Sequence, residues 1–186
     1  MKNYVNKFYI SDTHFGHEMI IGLCNRPFSS VEEMDSAMID AWNEVVSDND
    51  IVYHLGDFCF GSDDYAEYIF NQLNGRKILV LGNHDIDRDG NALKKIADLN
   101  WHKPPAHAVY TRDEGQYLYL SHYAHRVWPS SNYNNSYHFY GHSHDMLYQN
   151  GLSRDVGVDS ADVNFRPRTF KQLTQGLKPL INNYNS

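Results

Sequence analysis

The chain has 186 residues, of which 41% are hydrophobic and 14% aromatic, enough for one domain with a packed core, and this excludes a disordered tail. Its formal net charge of -7 disfavours a broad basic face that tracks a nucleic-acid backbone, so we expect no extended duplex-binding surface. The sequence contains neither an apolar signal segment nor a run of about eighteen apolar residues, so we expect a cytoplasmic protein without a membrane partner.

The first half of the sequence alternates short apolar runs with segments of helical periodicity. Apolar residues recur at helical spacing after Ser30, and Ser30 with Glu33 forms a capping-box pattern that predicts the start of a helix. The run KILVL at 77–81 is typical of a strand covered on both faces. Predicted strands cover 8–10, 50–55 and 77–81, and predicted helices cover 31–47, 63–73 and 91–99.

The second half of the sequence predicts mainly strands. Segments 106–110 and 116–121 form a predicted hairpin across Asp113, Glu114 and Gly115, and further strands are predicted near 138–140 and 155–158. We infer two sheets packed face to face with helices outside, in one domain that spans 1–186.

Five short polar clusters each follow a predicted strand. An Asp and a His two positions apart beyond a strand end can turn toward one ion, and their oxygen and nitrogen ligands suit Mn, Fe, Zn or Ni. A Gly-Asp pair alone is more often a turn, whereas GNHD combines a tight exit from the strand with a neutral oxygen ligand and a His beside an Asp. The clusters are Asp12-Thr13-His14, Gly56-Asp57, Gly82-Asn83-His84-Asp85, Ser121-His122 and Gly141-His142-Ser143-His144.

Other histidines and the two cysteines carry simpler interpretations. Four histidines have no partner at motif spacing, so packing or surface roles are expected for His54, His102, His107 and His138. Cys24 and Cys59 lie far apart and outside any CxxC spacing, which argues against a zinc ribbon or a disulfide, and we interpret both as buried thiols.

Taken together, the clusters resemble the calcineurin-like metallophosphoesterase superfamily, whose motifs DxH, GD, GNH[DE], H and GHxH occur here in that order. The resemblance spans 11–167, and the stretches SDTHFGHEMI, CNRPF, HYAHRVW and VGVD are similar to small bacterial and phage-type single-domain members. It implies an α/β fold, a four-layer α-β-β-α sandwich of two mixed β-sheets flanked by helices.

The resemblance also implies a metal centre and a reaction. Two divalent ions are expected, manganese first, with Fe, Zn, Ni or Mg as alternatives, and a bridging water would attack phosphorus. His84 is the expected proton donor, oriented by Asp85. The implied ligands are Asp12, His14 and His144 for the first ion, Asn83, His122 and His142 for the second, and Asp57 as the bridge.

Several residues are candidates for substrate contact. His17 could face the cleft or start the following helix, and Arg26 could grip a phosphoryl oxygen or form a surface salt bridge. The long connection 123–141 carries Arg126 and Trp128, together with His125, Tyr133 and Tyr137, and is a candidate rim that selects a nucleotide-like or aromatic substrate.

The sequence favours a phosphodiesterase acting on a small phosphoester. Protein phosphatases of the superfamily typically show GDYVDRG and RGNHE, whereas this chain has GDFCFGS and LGNHD. Three alternatives stay open: a phosphomonoesterase on a small metabolite or nucleotide, a metal-binding scaffold of the same fold, and a nuclease, although nucleases usually add a further domain for which we expect no room. The substrate, the native metal and the oligomeric state are not determined by the sequence.

Overall fold

The computed structural model describes residues 5–132 and 136–179, and strands and helices alternate through its first half. In chain order the elements are β1 (Lys7–Ile10), α1 (Glu18–Leu23), α2 (Val31–Val45), β2 (Ile51–His54), α3 (Asp63–Gln72), β3 (Arg76–Leu79), α4 (Lys94–Ala97), β4 (Ala108–Asp113), β5 (Gln116–Ser121), β6 (Ser136–Tyr140), β7 (Ser153–Asp155), β8 (Arg168–Thr169) and α5 (Phe170–Leu173). None of the described helices is long and apolar enough to cross a membrane.

The strands form two four-stranded mixed sheets. In the first sheet the order is β3-β2-β1-β8, with β1, β2 and β3 parallel and β8 antiparallel to β1. In the second the order is β4-β5-β6-β7, with β4 antiparallel to β5 and the remaining pairs parallel. The predicted α/β fold with two mixed sheets flanked by helices is confirmed.

Strand β1 shows how alternation along the chain builds two cores. Phe8 and Ile10 point into the core that the first sheet shares with α2 and α3, while Tyr9 points into the core between the sheets. The Tyr9 ring stacks on Tyr53 at a centroid distance of 5.4 Å and meets Phe139 of the second sheet edge-on at 5.2 Å. Full burial of such a ring stabilises the fold by about 2–3 kcal/mol.

Helix α2 forms for the reason that the sequence indicates, with one difference at its start. Met34, Met38 and Trp42, four residues apart, are all buried against the first sheet. The Ser30 hydroxyl accepts a hydrogen bond from the Glu33 N–H at 3.2 Å, as in a capping box. The Glu33 carboxylate, however, accepts from the backbone of Ser29 at 2.7 Å, so only half of the predicted box is present.

The predicted helix 91–99 is wrong over its first three residues. Asp87 accepts hydrogen bonds from the backbone N–H groups of Asp89 and Asn91, both at 2.9 Å, and Ile86 forms an antiparallel bridge with Ala92. This turn holds the chain in a non-helical path, so α4 is limited to Lys94–Ala97.

The predicted strand 155–158 divides between the two sheets. β7 ends at Asp155, and the chain then pairs with Ser11 at the end of β1: the Ser11 N–H donates to Val156 at 3.1 Å, and the Val158 N–H donates to Ser11 at 3.0 Å. The two sheets are thereby joined at the edge where the polar clusters lie. The predicted hairpin is present, but its first strand, β4, covers Ala108–Asp113 and not 106–110. Its turn is formed by Glu114 and Gly115, both in the left-handed region.

Candidate metal centre

The five polar clusters meet at one edge of the two sheets because each follows a strand whose parallel neighbours end at that same edge. Asp57, after β2, lies at the centre of this group. Its Oδ2 is 3.5 Å from Nε2 of His14 and also 3.5 Å from Nε2 of His122. Burial opposes its ionisation, but the hydrogen bond and charge of His122 and the neighbouring His14 keep the pKa of Asp57 below its usual range.

Asp12 connects the first cluster to the last. Both oxygens of its buried carboxylate accept the backbone N–H of His142, at 3.0 and 2.9 Å. Burial raises the pKa of Asp12 to about 7, with Asp155 and Asp57 adding to the effect. A buried carboxylate in this position favours a bound cation, which would keep it ionised.

His14 provides the test of whether a metal ion fits here. Its Nε2 is buried and has no hydrogen-bond partner among the described residues, although it lies beside Asp57. Burial lowers the pKa of His14 to about 3, so the ring is neutral at pH 7 and can offer a lone pair. A buried nitrogen left unpaired beside a carboxylate fits a ligand of a divalent cation.

His122 is held so that one ring nitrogen faces the centre. Its Nδ1 lies 2.8 Å from the carbonyl oxygen of Leu55, to which it donates, and its Nε2 lies 3.0 Å from Oδ1 of Asn83. Burial opposes protonation, but Asp57 and Asp12 raise the pKa of His122 to about 9. Such a hydrogen bond from the outer nitrogen orients an imidazole ligand.

The side chains fall into groups whose ligand atoms lie within 4.8 Å of one another. One group corresponds to the expected first ion and another to the expected second ion with the bridging carboxylate, while a third joins His84 to the bridge. These three groups are Asp12, His14 and His144; Asp57, His122 and His142; and His14, Asp57 and His84, and a fourth among the described residues joins Cys24, His144 and Asp159. The donor set of carboxylate oxygen and imidazole nitrogen therefore suits first-row divalent ions.

The backbone of the centre is strained. Five of the seven candidate ligands have a positive φ between 45° and 65°, namely Asp12, His14, Asp57, His142 and His144. A left-handed conformation costs a non-glycine residue about 1 kcal/mol or more, and strain of this kind concentrates at functional sites. The fold retains these conformations because they turn the side chains inward.

The sequence match is decisive on the family. The family model of the calcineurin-like phosphoesterase superfamily domain matches residues 7–156. The chain belongs to this superfamily. Its matched region is thus a phosphoesterase domain, a type of hydrolase that acts on phosphoester bonds, and the resemblance carried by the sequence motifs is confirmed.

Individual relatives of this phosphoesterase domain are similar over part of their length. Over 80 residues it is 50% identical to the uncharacterized protein MJ1445 of Methanocaldococcus jannaschii, covering 42% of this chain and 46% of the relative. Over 95 residues it is 36% identical to the gene 66 protein of Mycobacterium phage L5, covering 47% of this chain and 45% of that protein. The matched segments thus span less than half of these relatives, and the phage protein agrees with the resemblance to phage-type members.

A solved structure shares the fold. The protein AQ665 of unknown function from Aquifex aeolicus superposes with a TM-score of 0.68 at 24% identity, covering 92% of this chain and 99% of that one. At this identity the likeness supports the architecture of the phosphoesterase domain and says nothing about its substrate.

Arg26 lies inside the phosphoesterase domain and not at its surface, which corrects both of its predicted roles. Its guanidinium pairs with the Asp159 carboxylate through Nε at 2.8 Å and Nη2 at 2.9 Å, and donates to the carbonyl oxygens of Asp12 and Thr13. Asp159 in turn accepts from Nδ1 of His144 at 2.7 Å. Arg26 therefore supports a candidate metal ligand, and its donors are already engaged.

Asp85 also has a different role from the expected one. Its buried carboxylate accepts backbone N–H groups of Asp57 at 2.7 Å, Phe58 at 3.1 Å and Gly82 at 2.8 Å. These bonds tie the loop after β2 to the loop after β3. Asp85 thus holds the two loops that carry Asp57 and His84 and does not orient the His84 ring.

A cleft of about 820 Å³ opens over the centre. His17 lies in its wall, with Nδ1 3.3 Å from Nδ1 of His14 and its ring stacked on Phe60 at 4.0 Å. It also directly precedes α1, so it occupies both predicted positions, and its contact with a substrate stays a prediction. His84 and Cys24 line the cleft as well. Cys24 is half-buried, which corrects the expectation of a fully buried thiol, whereas Cys59 is buried.

The connection 123–141 does not form the predicted rim in the part that the structure describes. Neither Arg126 nor Trp128 lines the cleft; the Trp128 ring packs against His138 at 5.4 Å, on the outer face of the second sheet. Strand β6 occupies 136–140, so the loop is shorter than expected, and Tyr133 lies outside the described residues.

His54 and His138 are buried packing residues and His102 and His107 are exposed, as expected.

Three residues near the centre were not singled out from the sequence. Asp159 closes the stretch VGVD, and that motif carried the only signal for it. Phe60 stacks on His17, and Tyr123 packs against His142 at a centroid distance of 4.7 Å. Aromatic contacts of this kind depend on loop conformation and leave no periodic pattern.

Proposed function

We propose that the protein is a phosphodiesterase with a dinuclear metal centre and a small phosphoester or nucleotide-like substrate. Manganese is the proposed native metal, and the oxygen and nitrogen donors also suit Fe, Zn, Ni or Mg. The main support is the position of Asp57, whose Oδ2 is 3.5 Å from the facing nitrogens of both His14 and His122. The proposed ligands are Asp12, His14 and His144 for one ion, Asn83, His122 and His142 for the other, and Asp57 for both.

Two ions bound in this way would lower the pKa of a water molecule and neutralise charge on the phosphoryl oxygens. The chain itself supplies the remaining chemistry. The His84 ring is exposed to the cleft at a centroid distance of 5.3 Å from His14, and the backbone N–H of His84 donates to Oδ1 of Asp57 at 2.9 Å. This places His84 to donate a proton to the oxygen of the leaving group.

The charge of the cleft favours a diester over a monoester. Within the described residues, no lysine or arginine lines it, and its charged lining residues are the carboxylates of Asp57 and Asp159. A phosphomonoester dianion would bring a second negative charge into the cleft, where no lysine or arginine among the lining residues could contact it. A diester carries one negative charge, which the metal centre can neutralise.

The proposal is tested by paired initial rates on manganese-loaded protein with bis(p-nitrophenyl) phosphate and p-nitrophenyl phosphate. We expect hydrolysis of both to vanish with a chelator and the diester to have the higher kcat/KM. Asp57→Asn removes the bridging charge with little change of shape, and Asp98→Asn, at an exposed position, is the matched control. A higher kcat/KM for the monoester would favour the phosphomonoesterase alternative, and metal binding without turnover would favour the scaffold.

A further inference from the structure

The mouth of the cleft carries an unusual amount of exposed apolar surface. Met19 and Leu23 are each 69% exposed, Met146 is 84% exposed and Phe60 is 46% exposed. All four line the same cleft, and we call them the apolar wall. Scattered apolar residues on a surface are ordinary, but a cluster around one cavity marks a binding site.

The apolar wall is built from three separate segments. Met19 and Leu23 lie four residues apart on α1 and so share one face of that helix. Phe60 comes from the loop after β2, and Met146 follows the last histidine cluster. Because these segments converge at this cleft, the wall is a property of the site and not of one amphipathic helix.

The wall and the metal centre share one cavity, so a ligand on the metals must approach the wall. His14, Asp57 and His144 line the cleft together with the wall residues. Its volume, about 820 Å³, is in the range of pockets that enclose a whole small molecule. A phosphoryl group on the metal centre would leave most of that volume to its ester groups.

The chemistry of the wall selects for an aromatic ring. Thioethers make favourable contacts with ring edges, and methionine adapts its shape to flat groups of different outline. Phe60 is fixed by its parallel stacking on His17, with an interplanar angle of 10°, so it offers a rigid edge beside the flexible methionines. No lysine or arginine of the described residues lines the cleft, so a second phosphate finds no partner here.

We propose that the apolar wall is a substrate subsite that binds an aromatic ester group of a phosphodiester, the group that stays on phosphorus when the leaving group departs. This inference rests on the proposed function for the identity of the substrate. Met19 and Leu23 are the specificity-determining residues. Burial of a phenyl ring in place of a methyl group is expected to raise affinity about tenfold.

The test compares two diesters with the same leaving group, phenyl p-nitrophenyl phosphate and methyl p-nitrophenyl phosphate, on manganese-loaded protein. The wild-type protein is expected to show about tenfold higher kcat/KM for the phenyl ester, mainly through KM. Met19→Ser and Leu23→Ser should each lower this ratio several-fold. Tyr68→Ser, at an exposed aromatic residue of α3 away from the cleft, is the control and should keep the wild-type ratio.

Calorimetric titration with diphenyl phosphate and dimethyl phosphate separates this inference from the proposed function. Tighter binding of the phenyl compound, lost in Leu23→Ser, supports the subsite even if neither nitrophenyl ester is hydrolysed, a result that would reject only the phosphodiesterase proposal. Hydrolysis of both esters with equal kcat/KM, or equal binding of the two compounds, overturns the subsite. A change of molar mass in Leu23→Ser with an unchanged ratio also overturns it, because the wall would then contact a second copy of the chain.

Discussion

Nδ1 of His144 lies 2.7 Å from a carboxylate oxygen of Asp159, and this carboxylate also accepts hydrogen bonds from the buried Arg26 guanidinium. Burial opposes protonation, but this hydrogen bond and the charge of Asp12 raise the pKa of His144. The arrangement fixes which ring nitrogen faces the candidate metal centre and increases its basicity. We therefore expect metal affinity to depend on residues that do not themselves contact the metal.

Asp159→Asn is expected to weaken binding of one of the two ions about 10–100-fold, since the substitution removes the charge that orients and polarises His144. Manganese titration by calorimetry measures the effect, and kcat at saturating manganese should change far less. Asp162→Asn is the matched control, because Asp162 also pairs with an arginine, Arg154 at 2.8 Å, but contacts no candidate ligand. Equal manganese affinity in both variants and the wild type would contradict this account.

His84 and Asp57 are expected to separate catalysis from metal binding. His84→Ala should retain both metals and lose about 10²–10⁴-fold in kcat, because a proton donor is lost while the ligands remain. The loss should be larger for an alkoxide leaving group than for p-nitrophenolate, which needs less protonation. Asp57→Ala should lose metal as well as activity. Normal metal content and normal rate in the Asp57 variant would reject the assignment of the bridge.

Gly141 is expected to tolerate no side chain. A Cβ at this position would clash with Oγ of Ser11 and would lie 2.5 Å from Oδ2 of Asp12, which itself accepts the backbone N–H of His142. Gly141→Ala should therefore displace Asp12 and lower metal affinity and activity together. Gly22→Ala is the control, since a Cβ there meets no atom within 4 Å, and this variant should keep wild-type metal affinity. Wild-type manganese affinity in Gly141→Ala would argue that Asp12 is not a ligand.

His138 is expected to make the stability of the fold depend on pH. Its ring lies between the hydroxyls of Ser121 and Ser153, each at 2.9 Å, and burial, with a smaller effect of His125, lowers its pKa to about 3 from 6.5. Between pH 3 and 6.5 the unfolded chain binds more protons than the folded chain. The contribution of His138 to the free energy of unfolding is therefore fully present above about pH 6.5 and is lost as the pH decreases toward 3.

Urea unfolding of chelator-treated protein across this pH range measures the effect of His138. His138→Asn keeps hydrogen-bonding capacity but introduces no group that titrates between pH 3 and 6.5. The free energy of unfolding of this variant should therefore decrease less steeply with falling pH than that of the wild type, with a difference in slope on the order of 1 kcal/mol per pH unit. Parallel curves for the wild type and the variant would mean that His138 has the same pKa in the folded and unfolded chains, which would contradict its lowered pKa.

Much of the fold could be predicted because apolar periodicity records burial. The strands at β1, β2 and β3 and the helices α2 and α3 lie where the pattern indicates, within a few residues. Strand β8 and helix α5 are too short to leave a period, and α4 is shortened by the Asp87 turn. These elements are decided by contacts that are distant in sequence or by side-chain capping, which single-sequence patterns do not contain.

The residues that converge on the centre could be predicted from their spacing, but their supports could not. The clusters at Asp12, Asp57 and His142 all meet as expected, because strand ends project them to one edge. The sequence neighbours of Arg26 and Asp85 suggest contacts with the phosphoryl group and with His84, whereas their hydrogen-bond partners lie on other loops. Partner choice for a buried charge is set by the folded geometry, which explains why both roles were wrong.

The most direct test of the central claim is a manganese titration of the metal-free protein followed by electron paramagnetic resonance. A dinuclear centre bridged by Asp57 predicts that the two ions would be spin-coupled, so the signal of isolated Mn²⁺ should weaken as occupancy approaches two ions per chain. Parallel assays should show diester hydrolysis rising with the coupled signal. Saturation at one ion per chain, with the hyperfine pattern of an isolated ion and full activity, would contradict the account.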